Sequence, residues 1–315
     1  MPTAFIVLAH GEPTTFSHLA RHLRGFPTFV HLDRSADPAP FERMVRQQGL
    51  HALQFVQPRR CLHWGGYSIV MAMMESLAQA IGEAPSDVGH FAFLSGQCFP
   101  LQPVQAFCDH LEVRPQLVWC RGFDMARHPR RASMGSDRVR HRYWFDGAVG
   151  HFSKVAPHAV GAAVRRALTG VTWPFTSISP LPMDVAGSQW TALPRALAVE
   201  LVAHYGSGGF DYLRHALAPD EIAVPSYVYN SRWAAATPSG GLEPSQGATM
   251  AAYANFHWLK GGLRGTVSRE DVDMALRSEK FFVRKVSETA TPGLCDYITA
   301  QWRVHRPGGR GGRAG

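Results

Sequence analysis

The run Phe91-Ala92-Phe93-Leu94-Ser95-Gly96-Gln97-Cys98-Phe99-Pro100-Leu101 most constrains the fold. It is apolar without alternation for the length of a strand, breaks at Ser95-Gly96 and is closed by Pro100. Strands of this kind are buried on both faces, as in parallel sheets covered by helices. In such folds ligands sit at the carboxyl ends of the strands. The run equally fits an ordinary core strand with a tight turn, so it argues for an α/β core before it argues for a site.

Other segments supply the layers that strand needs. Ala4 to Ala9 repeats the buried-strand pattern and ends in His10-Gly11-Glu12-Pro13, with Thr14 or Thr15 placed to cap a helix over Phe16 to Leu23. Phe29 to Arg34 is a further strand containing an acid, and the three together read as a β-α-β unit with its ligand edge at Ala9, His10 and Asp33. A carboxylate at Asp33 can accept hydrogen bonds from a ribose or a base, or close a turn with Ser35. Ile69, Val70, Met73, Met74, Leu77 and Ile81 recur at helical spacing, which places Gly65-Gly66-Tyr67-Ser68 at a helix N-terminus whose free N–H groups suit an anion.

Further along, the pattern predicts helices over Val104 to Leu111, Ala156 to Leu168, Pro194 to Tyr205 and Phe210 to Ala216, and strands over Gln54 to Cys61, Gln116 to Cys120 and Tyr253 to Trp258. Ile222 to Trp233 fits a strand or a helix. A Ser-Arg-Glu-Asp capping box opens a helix from Ser268 to Arg277. Arg121 to Gly147 is basic and aromatic without a period, the mark of a functional or mobile loop.

Charge narrows the partners. Thirty-two Lys and Arg against 24 Asp and Glu leave +8, which favours phosphates, nucleotides, nucleic acid or an acidic membrane face. The arginines are spread through the chain, whereas a nucleic-acid arm gathers them with aromatics in one dense run, so no nucleic-acid partner is expected. Cys61, Cys98, Cys108, Cys120 and Cys295 form no CxxC pair and are odd in number. That argues against a disulfide framework or a structural zinc site and for a reducing compartment. The opening segment lacks the charged flank of a signal peptide, and no stretch reaches the roughly 18 apolar residues of a membrane span. The expected location is cytoplasmic, with peripheral attachment to a membrane left open. Residues 1–305 read as a single domain and the Gly/Arg-rich 306–315 as a disordered tail.

No GxGxxG, Walker A, GxSxG or HExxH motif is present, and no Asp-x-Asp doublet stands at a strand end. Five segments do fall in a recognisable order: Trp64-Gly65-Gly66-Tyr67-Ser68, Leu94-Ser95-Gly96-Gln97, Gly187-Ser188-Gln189-Trp190, Pro219-Asp220-Glu221 and Phe281-Phe282-Val283-Arg284-Lys285. In order and rough spacing they resemble the core-2/I-branching glycosyltransferases and peptide O-xylosyltransferases. Phe29 to Ser35 looks like that family's hydrophobic-His-x-Asp segment. The likeness runs from about residue 4 to 286, and the lack of an anchor and of disulfides resembles a bacterial member.

The resemblance implies a single-domain GT-A-type, Rossmann-like α/β fold with a mixed sheet flanked by helices. It implies inverting transfer from a UDP-sugar, with N-acetylglucosamine or xylose expected, to a hydroxyl of a glycan or glycolipid, and neither a metal nor another cofactor. Glu221 matches the family's catalytic base, with Asp220 the alternative; a carboxylate in hydrogen-bond reach can take the proton of the attacking hydroxyl. Lys285 matches a diphosphate-binding lysine, with Arg264 chosen as the second cation and Lys260 or Arg284 as alternatives. Such cations stabilise a departing phosphate. By analogy Ala9, His10 and Asp33 hold the nucleotide, while Trp64, Gly65, Ser95, Gly96, Gln97, Ser188, Gln189 and Asp220 line the donor and acceptor pocket. Trp190 and Trp258 are candidates for stacking on a sugar. Cys98 stands where many relatives carry Asp, which puts the usual contact of that edge with the donor in question. The alternative is a noncatalytic nucleotide-sugar- or glycan-binding relative.

Overall fold

The computed structural model describes residues 2–245, 249–260 and 265–304; Arg264 and the tail 306–315 lie outside the described residues. In chain order the strands are Thr3–Ala9 (β1), Thr28–Leu32 (β2), Leu53–Phe55 (β3), His90–Ser95 (β4), Phe99–Pro100 (β5), Gly122–Asp124 (β6), Val185–Gly187 (β7), Ala192–Pro194 (β8), His257–Leu259 (β9) and Phe282–Arg284 (β10). The helices are Pro13–His22 (α1), Pro38–Gln47 (α2), Ser68–Glu83 (α3), Val104–Val113 (α4), Asp137–Arg140 (α5), Gly147–Val155 (α6), His158–Thr172 (α7), Arg195–Gly206 (α8), Ala223–Tyr229 (α9), Arg269–Leu276 (α10) and Leu294–Val304 (α11).

The central sheet runs β3-β2-β1-β4-β8, its first four strands parallel and β8 antiparallel to β4. Every residue of β1, β2 and β4 is buried, which is why β1 and the body of β4 read as continuous apolar runs, while β2 carries buried Thr28 and His31 within its apolar residues. Helix α3 packs along β1 and β2 with α8 beside it, and Phe16, Leu19 and Ala20 of α1 enter the same core. The fold is therefore a mixed α/β one, with a parallel-dominated central sheet flanked by helices. A second sheet, β5-β10-β9, lies on a smaller core that includes Phe99, Val272, Val283 and Ile298.

The chain leaves β1 for β2 on one side and returns to β4 on the other, so the strand order reverses at the carboxyl ends of β1 and β4, the usual place of a ligand crevice in open α/β sheets. Gly96 closes its floor: the Gly96 N–H donates to the Leu8 carbonyl at 2.9 Å, and an added Cβ would meet the Ala9 Cβ at 3.1 Å.

Several expected elements differ. Helix α1 begins at Pro13 after a left-handed Glu12, and Thr15 donates its hydroxyl to the Glu12 carboxylate at 2.8 Å instead of capping. Strand β3 ends at Phe55, before Pro58 would remove a ladder N–H. Gln116 to Cys120 forms only a bridge between Trp119 and Ala192, because the Cys120 N–H turns back to the Val118 carbonyl. Phe210 to Ala216 shrinks to the 3-10 turn Asp211–Leu213. Tyr253 to Trp258 divides into a 3-10 turn, Met250–Tyr253, and β9. Ile222 to Trp233 resolves as α9 followed by a 3-10 turn, Arg232–Ala236. Helices α2, α5, α6 and α11 have no counterpart among the expected elements; α5 and β6 fall inside Arg121 to Gly147, which the sequence predicts as a loop.

Candidate active site

The site is built around a 3-10 turn, Pro219–Glu221, entered through Ala218 in the left-handed region at φ 50°. A non-glycine residue there is strained and persists only when its surroundings hold it. Arg138 does the holding. It is 1 % exposed and donates from Nε to the Leu217 carbonyl at 3.0 Å, and from Nη2 to the Ala218 carbonyl at 2.9 Å and to Glu221 Oε2 at 2.7 Å. The Ala218 N–H donates to the Gly65 carbonyl at 2.9 Å, so the Trp64-Gly65 turn lies against the acidic turn. Among the described residues Glu221 Oε1 has no hydrogen-bond partner. Asp220 is buried with Oδ1 unpartnered, and burial, followed by the neighbouring Glu221 carboxylate, pushes its carboxyl up to about 7.

Arg284 reaches the crevice from the end of β10. Its Nε donates to Ser95 Oγ at 2.9 Å and its guanidinium lies 4.8 Å from the centre of the Trp190 ring, a cation-π contact. Asp220 and Glu221 act on it electrostatically, yet among the described residues no carboxylate pairs with it directly. Behind it runs a buried relay: Ser95 Oγ to Cys98 Sγ at 3.3 Å, then Cys98 Sγ to His257 Nε2 at 3.1 Å. Burial raises the pKa of the Cys98 thiol and lowers that of His257 well below its ordinary value, so both are neutral. Cys98 is fully buried and supports Ser95 from behind, without reaching the crevice surface.

His10, exposed at the end of β1, lies within electrostatic reach of Arg284, Lys285, Asp33 and Glu12. Glu12 Oε1 accepts from Ser287 Oγ at 2.7 Å and from Gln97 Nε2 at 3.4 Å, and the Val286 N–H donates to the Gln97 carbonyl at 2.9 Å. These bonds tie the ends of β1, β4 and β10 together and set the Lys285 ammonium beside Arg284. Among the described residues that ammonium has no ion-pair partner.

Asp33 follows β2, and its N–H donates to the Ala9 carbonyl at 2.8 Å. Its carboxylate closes a turn, accepting from Ser35 N and Ser35 Oγ at 2.9 Å each, and Lys154 Nζ stands 3.4 Å away. Burial opposes ionisation, but these donors hold its pKa below the usual value. Beside it a cavity of about 260 Å³ is lined by Arg34, Pro58, Arg59, Arg60, Cys61 and Ser68, with Met71 at its wall. The anion at the N-terminus of α3 is the chain's own: Asp146 accepts from the Ser68 N–H at 3.0 Å and contacts His63 Nδ1 at 3.1 Å.

Some expected site residues are not brought together. Lys260 pairs with Asp271 at 2.7 Å in the capping box of α10. Trp258 stands in register with Val283, one residue out of step with Arg284, and packs on the smaller core. Ser188 accepts the Trp190 N–H at 3.3 Å, and Gln189 accepts the Thr191 N–H at 3.1 Å, so both shape the turn that presents Trp190. Trp64 is 65 % exposed with its ring edge-on to Phe145. Sequence reasoning missed Arg138, Glu12, Lys154 and His257; only Glu12, two residues after His10, carried a positional signal. Among the described residues no group of three or more His, Cys, Asp or Glu is placed to hold a metal ion.

No family model matches the chain, and no curated protein matches it. Among solved structures it is similar to mannose-1-phosphate geranyltransferase from Thermus thermophilus, at 14% identity over 73% of this chain and 70% of that one, with a TM-score of 0.30. A superposition at that level leaves the reading of the site to this chain's own residues.

Proposed function

We propose that the chain is an inverting, GT-A-type glycosyltransferase that moves a sugar, N-acetylglucosamine or xylose, from a UDP-sugar to a hydroxyl of a glycan or glycolipid, as its resemblance to the core-2/I-branching family implies. The observation that carries the reading is the arrangement at the crevice: a carboxylate clamped through one oxygen, within electrostatic reach of a buried guanidinium that stands beside an ammonium, neither cation having a carboxylate partner among the described residues.

In this reading Glu221 Oε1 takes the proton of the acceptor hydroxyl as it attacks the anomeric carbon. Arg138, holding Oε2, keeps the carboxylate aimed. Below about pH 7 Asp220 stays protonated and offers a donor, which leaves Glu221 as the base. Arg284 and Lys285 take up the charge on the departing diphosphate, the electrostatic work a metal ion does in other transferases. His10, Asp33 and the arginine-lined cavity beside them hold the nucleoside end, with Lys154 moving off Asp33 when it binds.

The test is a panel of UDP-sugars with UDP release as the readout, run in excess EDTA. One donor should be slowly hydrolysed, and Glu221→Gln should lower that rate at least ~100-fold while UDP still raises the melting temperature. Full turnover by the variant, or a strict requirement for manganese, would overturn the reading. UDP binding without turnover of any donor would favour the noncatalytic alternative.

A further inference from the structure

The net charge of the chain is concentrated in a single segment. Residues 125–183 hold nine Lys and Arg against two acids, Asp137 and Asp146, while the remainder holds 23 against 22. Both acids are engaged, Asp137 with Arg131 and Asp146 with His63 and Ser68. Arg127, Arg130, Arg131, Arg140, Arg142 and Arg166 are exposed.

The same segment displays apolar side chains. Among the described residues, seven of the 11 exposed large hydrophobics fall in it: Phe152, Val155, Val160, Val171, Trp173, Phe175 and Ile178. On α7, Val160, Ala163, Ala167 and Val171 are all exposed at spacings of three and four, an apolar stripe along one face. The loop after α7 is held in place: Trp173 stacks on His141 at 3.5 Å, and the Ser177 N–H donates to the Arg140 carbonyl at 2.7 Å. Phe175 and Ile178, 63 % and 90 % exposed, therefore flank Arg140 and Arg142.

We propose that this face, the exposed stripe of α7 with the 173–178 loop and its arginine border, docks on an anionic lipid bilayer. Apolar side chains bordered by cations, with no free acid among them, are the composition of a surface that lies in the interface. No helix of the described residues is long and apolar enough to cross a membrane, so the surface rests on the bilayer. A second copy of the chain would bring two strongly positive faces together across a symmetric interface. Nucleic acid would match the arginines and leave Val160, Val171 and Ile178 without partners. The segment is also wired to the crevice through Arg138 on Glu221 and Lys154 on Asp33. If the chain is a transferase, a lipid-linked acceptor is the one this geometry suits; that last step rests on the transferase reading, whereas the docking does not.

Co-sedimentation of the full chain with vesicles tests it without any nucleotide. Vesicles of phosphatidylcholine mixed with phosphatidylglycerol should bind at least about tenfold more tightly than phosphatidylcholine alone, with binding weakening as salt rises. Phe175→Ser with Ile178→Ser, and separately Arg140→Gln with Arg142→Gln, should each cost at least about tenfold while circular dichroism and the melting temperature stay as in the parent. Because these side chains are exposed, both variants should fold; Val160→Ser provides a third. Equal or absent binding to the two vesicle types, or parent-like binding by both double variants, would overturn the proposal. So would a dimer in sedimentation, or DNA binding, that the same substitutions abolish.

Discussion

Asp220 and Glu221 are neighbours in sequence and stand in opposite electrostatic circumstances. Arg138 grips the Glu221 carboxylate, while Asp220 is buried with one oxygen unpartnered and its carboxyl pushed up to about 7. In the unfolded chain Asp220 titrates near ~3.9, so folding favours its protonated form. The stability this contributes is fully present below about pH 4 and is lost as pH rises through 7. Asp220→Asn removes the loss, so its stability advantage over the parent should widen between pH 4 and 7 and reach no more than ~4 kcal/mol. Urea denaturation at several pH values measures this; a gap that does not change with pH would show that Asp220 is ionised in the fold. The acidic pair was legible because Pro219-Asp220-Glu221 is a local motif. Arg138 was not, since it meets Glu221 across 83 residues of chain and its surroundings, Ser136 to Arg142, read as one more stretch of basic loop.

At the scale of elements, the long central strands are the most legible feature: burial on both faces leaves an apolar run, continuous in β1 and the body of β4 and broken only by Thr28 and His31 in β2. The capping box of α10 forms as Ser268 and Asp271 predict. Helix α2 was missed although Asp37 caps it, accepting the Ala39 N–H at 3.0 Å, because Phe41 alone is buried on it and no apolar period marks it. The sequence predicts free N–H groups at the N-terminus of α3, whereas the Ser68 N–H is taken by Asp146, which arrives from a segment without periodicity. Asp146→Ala should therefore cost about 1–2 kcal/mol by uncapping α3 and freeing His63. A thermal melt checks this, and an unchanged midpoint would mean that the Ser68 N–H finds water equally good.

Among the described residues there are two apolar cores, and the candidate site draws on both. Trp190, Ile222 next to the acidic turn, and the ends of β1 and β4 belong to the large core, whereas Arg284 and Lys285 follow Val283 of the smaller one, on a strand whose Phe282 packs in the larger. No sequence pattern announced this, because β5, β9 and β10 are two or three residues long and α11 has no counterpart among the expected elements. Ile298→Ala in the smaller core and Leu77→Ala in the larger should each cost about 2–5 kcal/mol. If the two cores carry separate halves of the site, the Ile298 variant should lose more affinity for UDP, read as the UDP-dependent shift in melting temperature. Equal losses would mean that the cores yield as one.

The bonds from Arg284 to Ser95, from Val286 to Gln97 and from Ser287 to Glu12, with the Phe282 ring packed in the larger core, join the two cores at the crevice. A cleft stitched in this way can be altered one wall at a time. On the transferase reading, substitutions around His10, Asp33 and the arginine-lined cavity can change which base is accepted while Arg284 and Lys285 keep their support. Variation in the short C-terminal strands can retune those cations without disturbing the parallel sheet. Descendants of such a chain can alter the two walls of the cleft by separate mutational routes.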